Sequence, residues 1–315
     1  MSEMTKGKNM KGPRAHQIQE TSVSRKKSGG KAQVKGPVKS HDKEIIKDMV
    51  SVVITVKNEE KHMKNLLDSL IIQQGPWEII IVDAASKDRT REIVKDYQTR
   101  HDNIILELYA AQRGESRNRG IQIARGEFVA FIDGDCIANP FWLRECRKSL
   151  KAFDVVGGRT ITMGYEAFVE LSRVELYYKG VDVTMPSCNL VYRAKIFAEV
   201  PGFDSKFVTA EDIDLNIRTL NAGYRITYND HAIVYHLARS TMVSFFKQAF
   251  WNGLGRKQLS RKHGRLWGKY DYSELFKNRV TFWYIVRMGV AMLGYVTLTF
   301  MPFREYMVER DINAR

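Results

Sequence analysis

Two carboxylates, Asp133 and Asp135, stand one glycine apart at the end of Phe128 to Ile132, an apolar run of strand length. Core packing gives no reason for an acidic pair there. A hard divalent cation does, because it takes oxygen ligands from a fixed backbone. The carboxyl end of a strand is also where ligands bind in an open α/β sheet. The triplet alone reads equally well as a solvated Asp-Gly turn. It is not an EF-hand calcium loop, since the fifth position would be Ile137 and the glycine required at the sixth is Ala138. Asp83, the pair Glu211-Asp212 and His236 fall at comparable places, close behind apolar runs or at a helix start. One such residue is noise, but several along one chain make a site hypothesis.

The elements that would hold these residues alternate. Val50 to Val56 reads as a strand, and a helical pattern from Glu59 sets Met63, Leu66, Leu67, Leu70 and Ile71 on one face. Glu78 to Val82 is a continuously apolar strand of the kind buried on both faces of a parallel sheet, ending at Asp83. Ser86 can cap a helix to Tyr97, Ile104 to Leu108 is a third strand, and a helix from Glu115 to Ala124 stops at Gly126. Strands thus recur about every 25 residues with helices between them, which is βαβ spacing. Asn139-Pro140 restarts a helix to Leu150, Val155 to Thr162 is another strand, and a helix is expected from Glu166 to Tyr178. Ser187 to Tyr192 is strand-like. Ala210 opens a helix with acids in its first turn, where the helix dipole favours them, and Gly223 ends it. Two short strands follow, Tyr224 to Tyr228 and Ala232 to Tyr235. The expectation is an α/β fold with a mainly parallel sheet and helices on both faces.

The ends differ from this middle. Residues 1–47 are rich in Lys, Arg, Gly, Ser and Gln and read as a disordered basic tail, since they cannot bury enough apolar surface to offset ordering entropy. No early apolar stretch follows the N-terminal charges, so no secretory signal is expected. The three cysteines, Cys136, Cys146 and Cys188, show no Cys-x-x-Cys spacing and fit a reducing compartment. The chain carries a formal charge of +14, which points to a polyanionic partner: nucleic acid, an anionic membrane or phosphorylated substrates. Residues 48–240 would form the catalytic domain and 241–315 a C-terminal helical region. There Met242, Phe245, Phe246, Ala249 and Phe250 share a helical face ahead of Arg256, Lys257, Arg261, Lys262 and Arg265. That pattern suits a membrane interface, and equally a helix packed on the core with a solvated basic end. Thr281 to Phe303 is the most apolar stretch, interrupted by Arg287. From Met288 to Phe303 it is short of the roughly 20 residues that cross a bilayer upright unless the aromatic start is included and Arg287 snorkels, so spanning, docking and burial stay open. Basic residues on its N-terminal flank would leave the catalytic part on the cytoplasmic side of a membrane, or in the cytoplasm.

The order of motifs from Val50 to His236 resembles the family 2 glycosyltransferases of the GT-A fold, a Rossmann-like sheet sandwiched by helices. The matching segments are Val-Ile-Thr-Val-Lys-Asn-Glu59, Ile-Val-Asp-Ala-Ala-Ser-Lys-Asp88, Gly114-Glu-Ser-Arg-Asn118, Phe-Ile-Asp-Gly-Asp135, Gly202-Phe-Asp204, Glu-Asp-Ile-Asp-Leu215 and Val-Tyr-His236. The resemblance implies a metal-dependent, inverting transferase that moves a sugar from a nucleotide-diphosphate donor, UDP-linked by expectation, to a hydroxyl acceptor. It implies that Asp83 hydrogen-bonds the base, that Thr55, Glu59 and Arg117 belong to the nucleotide pocket, and that Asp133 lies near the ribose or metal. Asp135 would bind Mn²⁺ or Mg²⁺ directly, with His236 completing the shell. Asp212 would be the catalytic base, with Glu211 as the alternative and Asp214 structural. A lipid-linked or membrane-proximal acceptor rests on the C-terminal stretch alone.

Three departures accompany the resemblance. The Gln-x-x-Arg-Trp signature of processive members is replaced by Gln248-Ala-Phe-Trp251-Asn, which argues against a polysaccharide-extruding synthase and leaves Trp251 as an acceptor candidate. Cys136 stands where an acid is conventional after the acidic pair, and Pro201 where glycine is common. A basic nucleic-acid-binding protein is the rival from another class, but no recognition motif is present and the acids would repel phosphates, so no specific nucleic acid is expected. A nucleotidyltransferase would also use paired metal acids and would release pyrophosphate.

Overall fold

The computed structural model describes residues 44–164, 174–237, 242–271 and 282–300. The tail to residue 43, the body of the helix expected from Glu166 and both ends of the C-terminal apolar stretch lie outside these. The chain runs β1 (Ile46–Val56), α1 (Glu60–Ile71), β2 (Trp77–Asp83), α2 (Thr90–Gln98), β3 (Ile104–Leu108), α3 (Arg113–Ile123) and β4 (Gly126–Asp133). It continues with β5 (Cys136–Ala138), α4 (Trp142–Leu150), β6 (Val155–Met163), β7 (Glu175–Tyr178), β8 (Val181–Asp182), β9 (Leu190–Arg193) and α5 (Ile196–Glu199). The last elements are α6 (Glu211–Asn221), β10 (Ile226–Leu237), α7 (Met242–His263), β11 (Tyr270–Asp271) and α8 (Phe282–Phe300).

Eight strands form one sheet in the order β3-β2-β1-β4-β9-β6-β10-β5. The first four are parallel, β9 runs antiparallel between β4 and β6, and β10 is parallel to β6 but antiparallel to β5. The chain leaves β1 on one side through β2 and β3, then returns to β1's other side as β4. That reversal is a topological switch point, and the crevice outside the strand ends there is where such sheets bind ligands. Alternation along β1 feeds two cores. Val50, Val52, Ile54 and Val56 pack with Met63, Leu66 and Leu67 of α1 and Trp142 of α4. Val53 packs on the other face with Val129, Phe131 and the Ile213, Leu215 and Ile217 side of α6.

Several local expectations are corrected. β1 starts at Ile46, inside the segment read as tail, and pairs with Gly126 across a register shift. The helix expected from Ser86 begins at Thr90, because Asp88 turns the chain by accepting from the Thr90 N–H at 3.1 Å and the Glu60 N–H at 3.0 Å. Glu175 to Tyr178 is not the end of a helix but strand β7, joined to β8 by Lys179-Gly180, both at positive φ as a two-residue hairpin turn requires. The two short strands expected around Tyr228 and Val234 are one strand, β10, carried past an irregularity between Asn229 and Ile233. Asn229 anchors that irregularity by donating to the Glu145 carbonyl and Ser149 Oγ.

The C-terminal helices pack on the rest of the fold. In α7, Phe245, Ala249, Leu254 and Leu259 are buried. Its basic end is engaged within the molecule: Lys262 and His263 reach Asp214 of α6, and Arg261 donates to the Leu298 carbonyl of α8. Helices α7 and α8 cross with backbones in close approach. A methyl group on Gly294 would collide with the Phe250 carbonyl oxygen, and one on Gly253 with that of Ala291. Overpacking such a crossing costs about 1–3 kcal/mol. Gly294→Val is therefore expected to loosen α8 selectively, read as faster amide hydrogen exchange in α8 with β1 and β4 still protected. Unchanged exchange in α8 would mean that the crossing does not hold the helix.

Candidate active site

Register assembles the acids. Thr55 of β1 pairs with Asp133 of β4 on one side and Val82 on the other, and Val56 pairs with Asp83. Asp83 and Asp133 therefore flank the end of β1. The acidic pair then turns at Gly134, where a Cβ would lie 3.0 Å from Glu59 Cγ and 3.1 Å from Val56 Cγ1, so a side chain there would push the β1–α1 loop away. β5 follows at once. Its antiparallel register sets His236 opposite Cys136, which brings His236 Nε2 to 3.5 Å from Asp135 Oδ1.

Arg117 of α3 lies beneath this cluster and is 2% exposed. Its Nη2 donates to Asp133 Oδ1 at 2.8 Å and its Nη1 to Glu211 Oε1 at 2.7 Å. The Phe203 ring covers the guanidinium at 5.3 Å. The neighbouring Asn118 holds Phe203 through both backbone groups, at 2.7 Å each. Burial alone would lower the Arg117 pKa, but Asp133 and Glu211 raise it, so the cation is locked. The family resemblance assigns Arg117 to the nucleotide pocket. The structure commits its guanidinium to two carboxylates instead, because a buried charge needs partners.

Asp212 differs from its neighbour Glu211. It is half-buried, and its carboxylate accepts from the Ser187 N–H at 3.0 Å and the Ile213 N–H at 2.8 Å. Burial and then the charge of Glu211 push its pKa above the ordinary carboxylate range. Asp133 goes the other way: burial would raise it, but Arg117, Arg113 and His236 outweigh that and lower it. Two acids of one site thus have their proton affinities driven apart. Ala210, which precedes this helix, holds a left-handed backbone at φ 64°, a strained conformation for alanine at the point that aims Glu211 and Asp212.

A cavity of about 800 Å³ opens over the sheet edge, with Asp133, Glu211, Asp212 and His236 on its wall. The other expected site residues are not on that wall. Asp83, Thr55 and Glu59 lie to the β1–β2 side, where the Asn58 N–H donates to Ser86 Oγ and the Glu59 N–H to Thr90 Oγ1, tying the two loops together. Asp83 is fully buried; its Oδ1 accepts from the Ser86 N–H, while Oδ2 has no hydrogen-bond partner among the described residues. Trp251 is turned from the cavity onto Phe250, and Gln248 and Asn252 of the same helix face it instead. The cavity also recruits Arg113, Thr162 and Ser187, which no motif flagged, and Arg256 and Arg287, which the sequence marks only for a membrane interface. Arg113 adjoins a recognised segment and could have been found by that proximity; the others required the fold.

For a divalent cation the donor set fits in part. Ligand atoms of Asp135, Cys136 and His236 lie within 4.8 Å of one another. The neighbouring Cys188 thiol and burial push the Cys136 thiol far up, so it stays neutral and is a poor ligand for a hard ion. Oxygen from Asp135 and nitrogen from His236 remain, with Asp133 adjacent but held by Arg117.

The chain matches the model of "Glycosyl transferase family 2" over residues 51–193 and that of "Glycosyl transferase family group 2" over residues 128–307. Glycosyltransferase AglE of Haloferax volcanii is 30% identical over 227 residues, 67% of this chain and 73% of that protein. The chain belongs to glycosyltransferase family 2. It is therefore a glycosyltransferase. A dolichyl N-acetyl-α-D-glucosaminyl phosphate 3-β-D-2,3-diacetamido-2,3-dideoxy-β-D-glucuronosyltransferase of Methanococcus voltae is 22% identical, over 68% of this chain and 75% of that protein. Among solved structures, the mannosyltransferase PcManGT of Pyrobaculum calidifontis, in complex with GDP-Man and Mn²⁺, has the same fold. Its TM-score is 0.55 at 14% identity, over 79% of this chain and 74% of that one. The GT-A architecture expected from the motifs is the observed one.

Under the site, Asp214 is fully buried and collects Arg218 at 2.8 Å, Lys262 at 2.8 Å and His263 at 2.7 Å, pinning α7 to the helix that carries Asp212. Burial would raise its pKa, but His263, Lys262 and Arg218 bring it down to about 2. A depressed carboxyl supports the fold above its unfolded value of 3.8 and loses that support as pH falls through about 2. The contribution is about 2 kcal/mol. Asp214→Asn is expected to be less stable than the parent by at least that amount at pH 7. The gap measured by urea unfolding should narrow as pH falls below about 4. A pH-independent gap would separate the loss from ionisation.

Proposed function

We propose that this protein is an inverting, metal-dependent glycosyltransferase. It takes a nucleoside-diphosphate sugar, UDP-linked, and transfers the sugar to a hydroxyl of a lipid-linked acceptor at the cytoplasmic side of a membrane. The observation that carries the reading is the convergence of Asp133, Asp212 and His236 on one cavity wall, with Asp135 beside His236.

Each residue has a role that its surroundings support. The unpartnered Asp83 Oδ2, buried at the switch point, suits a ring N–H of the donor's base, as in the N3–H of uracil. Thr55 and Glu59 line the same side. Asp135 and His236 would hold Mn²⁺ or Mg²⁺, assisted by Asp133; such an ion supplies charge stabilisation to the departing nucleoside diphosphate. Arg117 bonds Asp133 and Glu211 and fixes both in place, which leaves Asp212 as the carboxylate free to take the acceptor's proton. The Ser187 and Ile213 N–H groups orient that carboxylate toward the cavity. Attack opposite the leaving group in a single displacement inverts the anomeric carbon.

Two observations support a membrane-proximal acceptor. Trp283–Phe300 is, among the described residues, the one helix long and apolar enough to cross a membrane by length and composition, and Ile285, Leu293, Val296 and Phe300 are exposed on it. The inner side of the same helix lines the cavity, which favours lying at the interface over spanning. The relative from Methanococcus voltae is named for a dolichyl glycosyl phosphate substrate.

The test is nucleoside diphosphate release from a panel of UDP- and GDP-sugars with Mn²⁺. Slow release from one donor is expected, lost on chelation and in Asp135→Ala. Asp212→Asn should bind that donor normally and lose transfer by about 10²-fold or more. Because Asp212 titrates above its ordinary range, kcat/KM should rise with pH through an acid limb lying above 3.8. If no nucleotide-sugar binds in the presence of metal, the reading fails.

A further inference from the structure

Arg287 is the single charged residue of α8, a helix otherwise built from apolar, aromatic, glycine and threonine side chains. It does not lie on the exposed stripe but lines the cavity, beside Tyr284, Met288 and Ala291. An ionisable residue in so apolar a helix, turned to an interior space, marks a ligand path more often than a packing need. Arg256 of α7 lines the same part of the cavity. The crossing that sets Gly253 against Ala291 and Phe250 against Gly294 brings Arg256 level with the Arg287 turn of α8. Arg256 is itself only partly satisfied: Nη2 donates to the Val174 carbonyl at 3.1 Å and the Tyr270 ring lies 5.0 Å away, while Nη1 is buried with no hydrogen-bond partner among the described residues. A buried guanidinium N–H without a partner at a cavity wall is relieved by an anion, and the fork of a guanidinium matches phosphate oxygens.

Asp133 and Asp212 reach the cavity from β4 and α6 and the arginines from α7 and α8, so the two sets of charge sit on different elements, with the donor diphosphate expected at Asp135 and His236 on the first. Beyond the arginines, the outer face of α8 presents Ile285, Leu293, Val296 and Phe300, a stripe without charge. We infer that Arg256 and Arg287 form a phosphate subsite for the acceptor, which is a glycosyl phosphate or diphosphate carried on a hydrocarbon chain. Its sugar hydroxyl faces Asp212, its phosphate sits between the arginines, and its chain leaves along α8. This deepens the function proposed above and rests on Asp212 as the base.

The test uses the full-length protein with farnesyl phosphate, farnesol and inorganic phosphate as probes, measured by calorimetry. Farnesyl phosphate is expected to bind about tenfold or more tightly than either farnesol or phosphate. Arg287→Gln and Arg256→Gln should each weaken it by about tenfold or more, and Arg287→Lys by less. Binding of UDP with Mn²⁺ is measured on every variant and should not change, which shows that the fold and the donor side are intact. If Arg287→Gln does not fold, Arg256→Gln and Arg287→Lys carry the comparison. Equal affinity for farnesyl phosphate and farnesol, or no loss in the arginine variants, overturns the subsite. Inorganic phosphate binding as tightly as farnesyl phosphate overturns the lipid source. Loss of UDP binding in the parent protein would instead count against the glycosyltransferase reading of the donor side, whatever the lipid arm returns.

Discussion

Arg117 is the constraint on which the site depends. Its guanidinium is almost wholly removed from water and spans from the end of β4 to the start of α6, bonding Asp133 and Glu211. Glu211 could not be buried behind the half-buried Asp133 without that charge between them, because an unpaired carboxylate in a low dielectric costs several kcal/mol. The same residue explains the turn at Phe203, whose ring covers the guanidinium and whose backbone is held by Asn118. Three separated stretches, around Arg117, Phe203 and Glu211, are therefore one mechanical unit. Within it Asp212 carries a raised proton affinity, as a general base requires.

The sheet delivers the other half. Parallel pairing of β1 with β2 and β4 brings Asp83 and Asp133 to either side of one strand end. The antiparallel strand β5 then doubles back against β10, and one register step decides whether His236 meets Asp135 or points to the opposite face. The metal-type cluster is thus a consequence of strand register more than of the acidic pair itself.

The C-terminal helices change the character of the cavity. The GT-A core supplies acids to one wall, and α7 and α8 close the space with arginines, aromatics and methionines. Their crossing relies on Gly253 and Gly294, and α7 is held down by the Asp214 hub beneath the base helix. Basic residues that looked like a solvated or membrane-seeking end, Lys262 and Arg261 among them, are mostly used in these internal contacts.

Much of this was legible in the residue order. The alternation of apolar runs and helical patterns from Val50 to Asp133 follows from local periodicity, and so does the position of each acid at a strand end. The motif order was enough to identify the family. What the residues alone did not determine was pairing across distance. The Arg117 bridge joins residues 94 positions apart, and the Arg256 and Arg287 wall depends on a helix crossing that no local pattern encodes. The insertion of β9 antiparallel between β4 and β6 and the fusion of two short strands into β10 are decided by neighbouring backbones seeking hydrogen-bond partners, a non-local demand. Glu211 and Asp212 are chemically alike and adjacent in the chain. Only the tertiary structure separates them, by giving one of them an arginine.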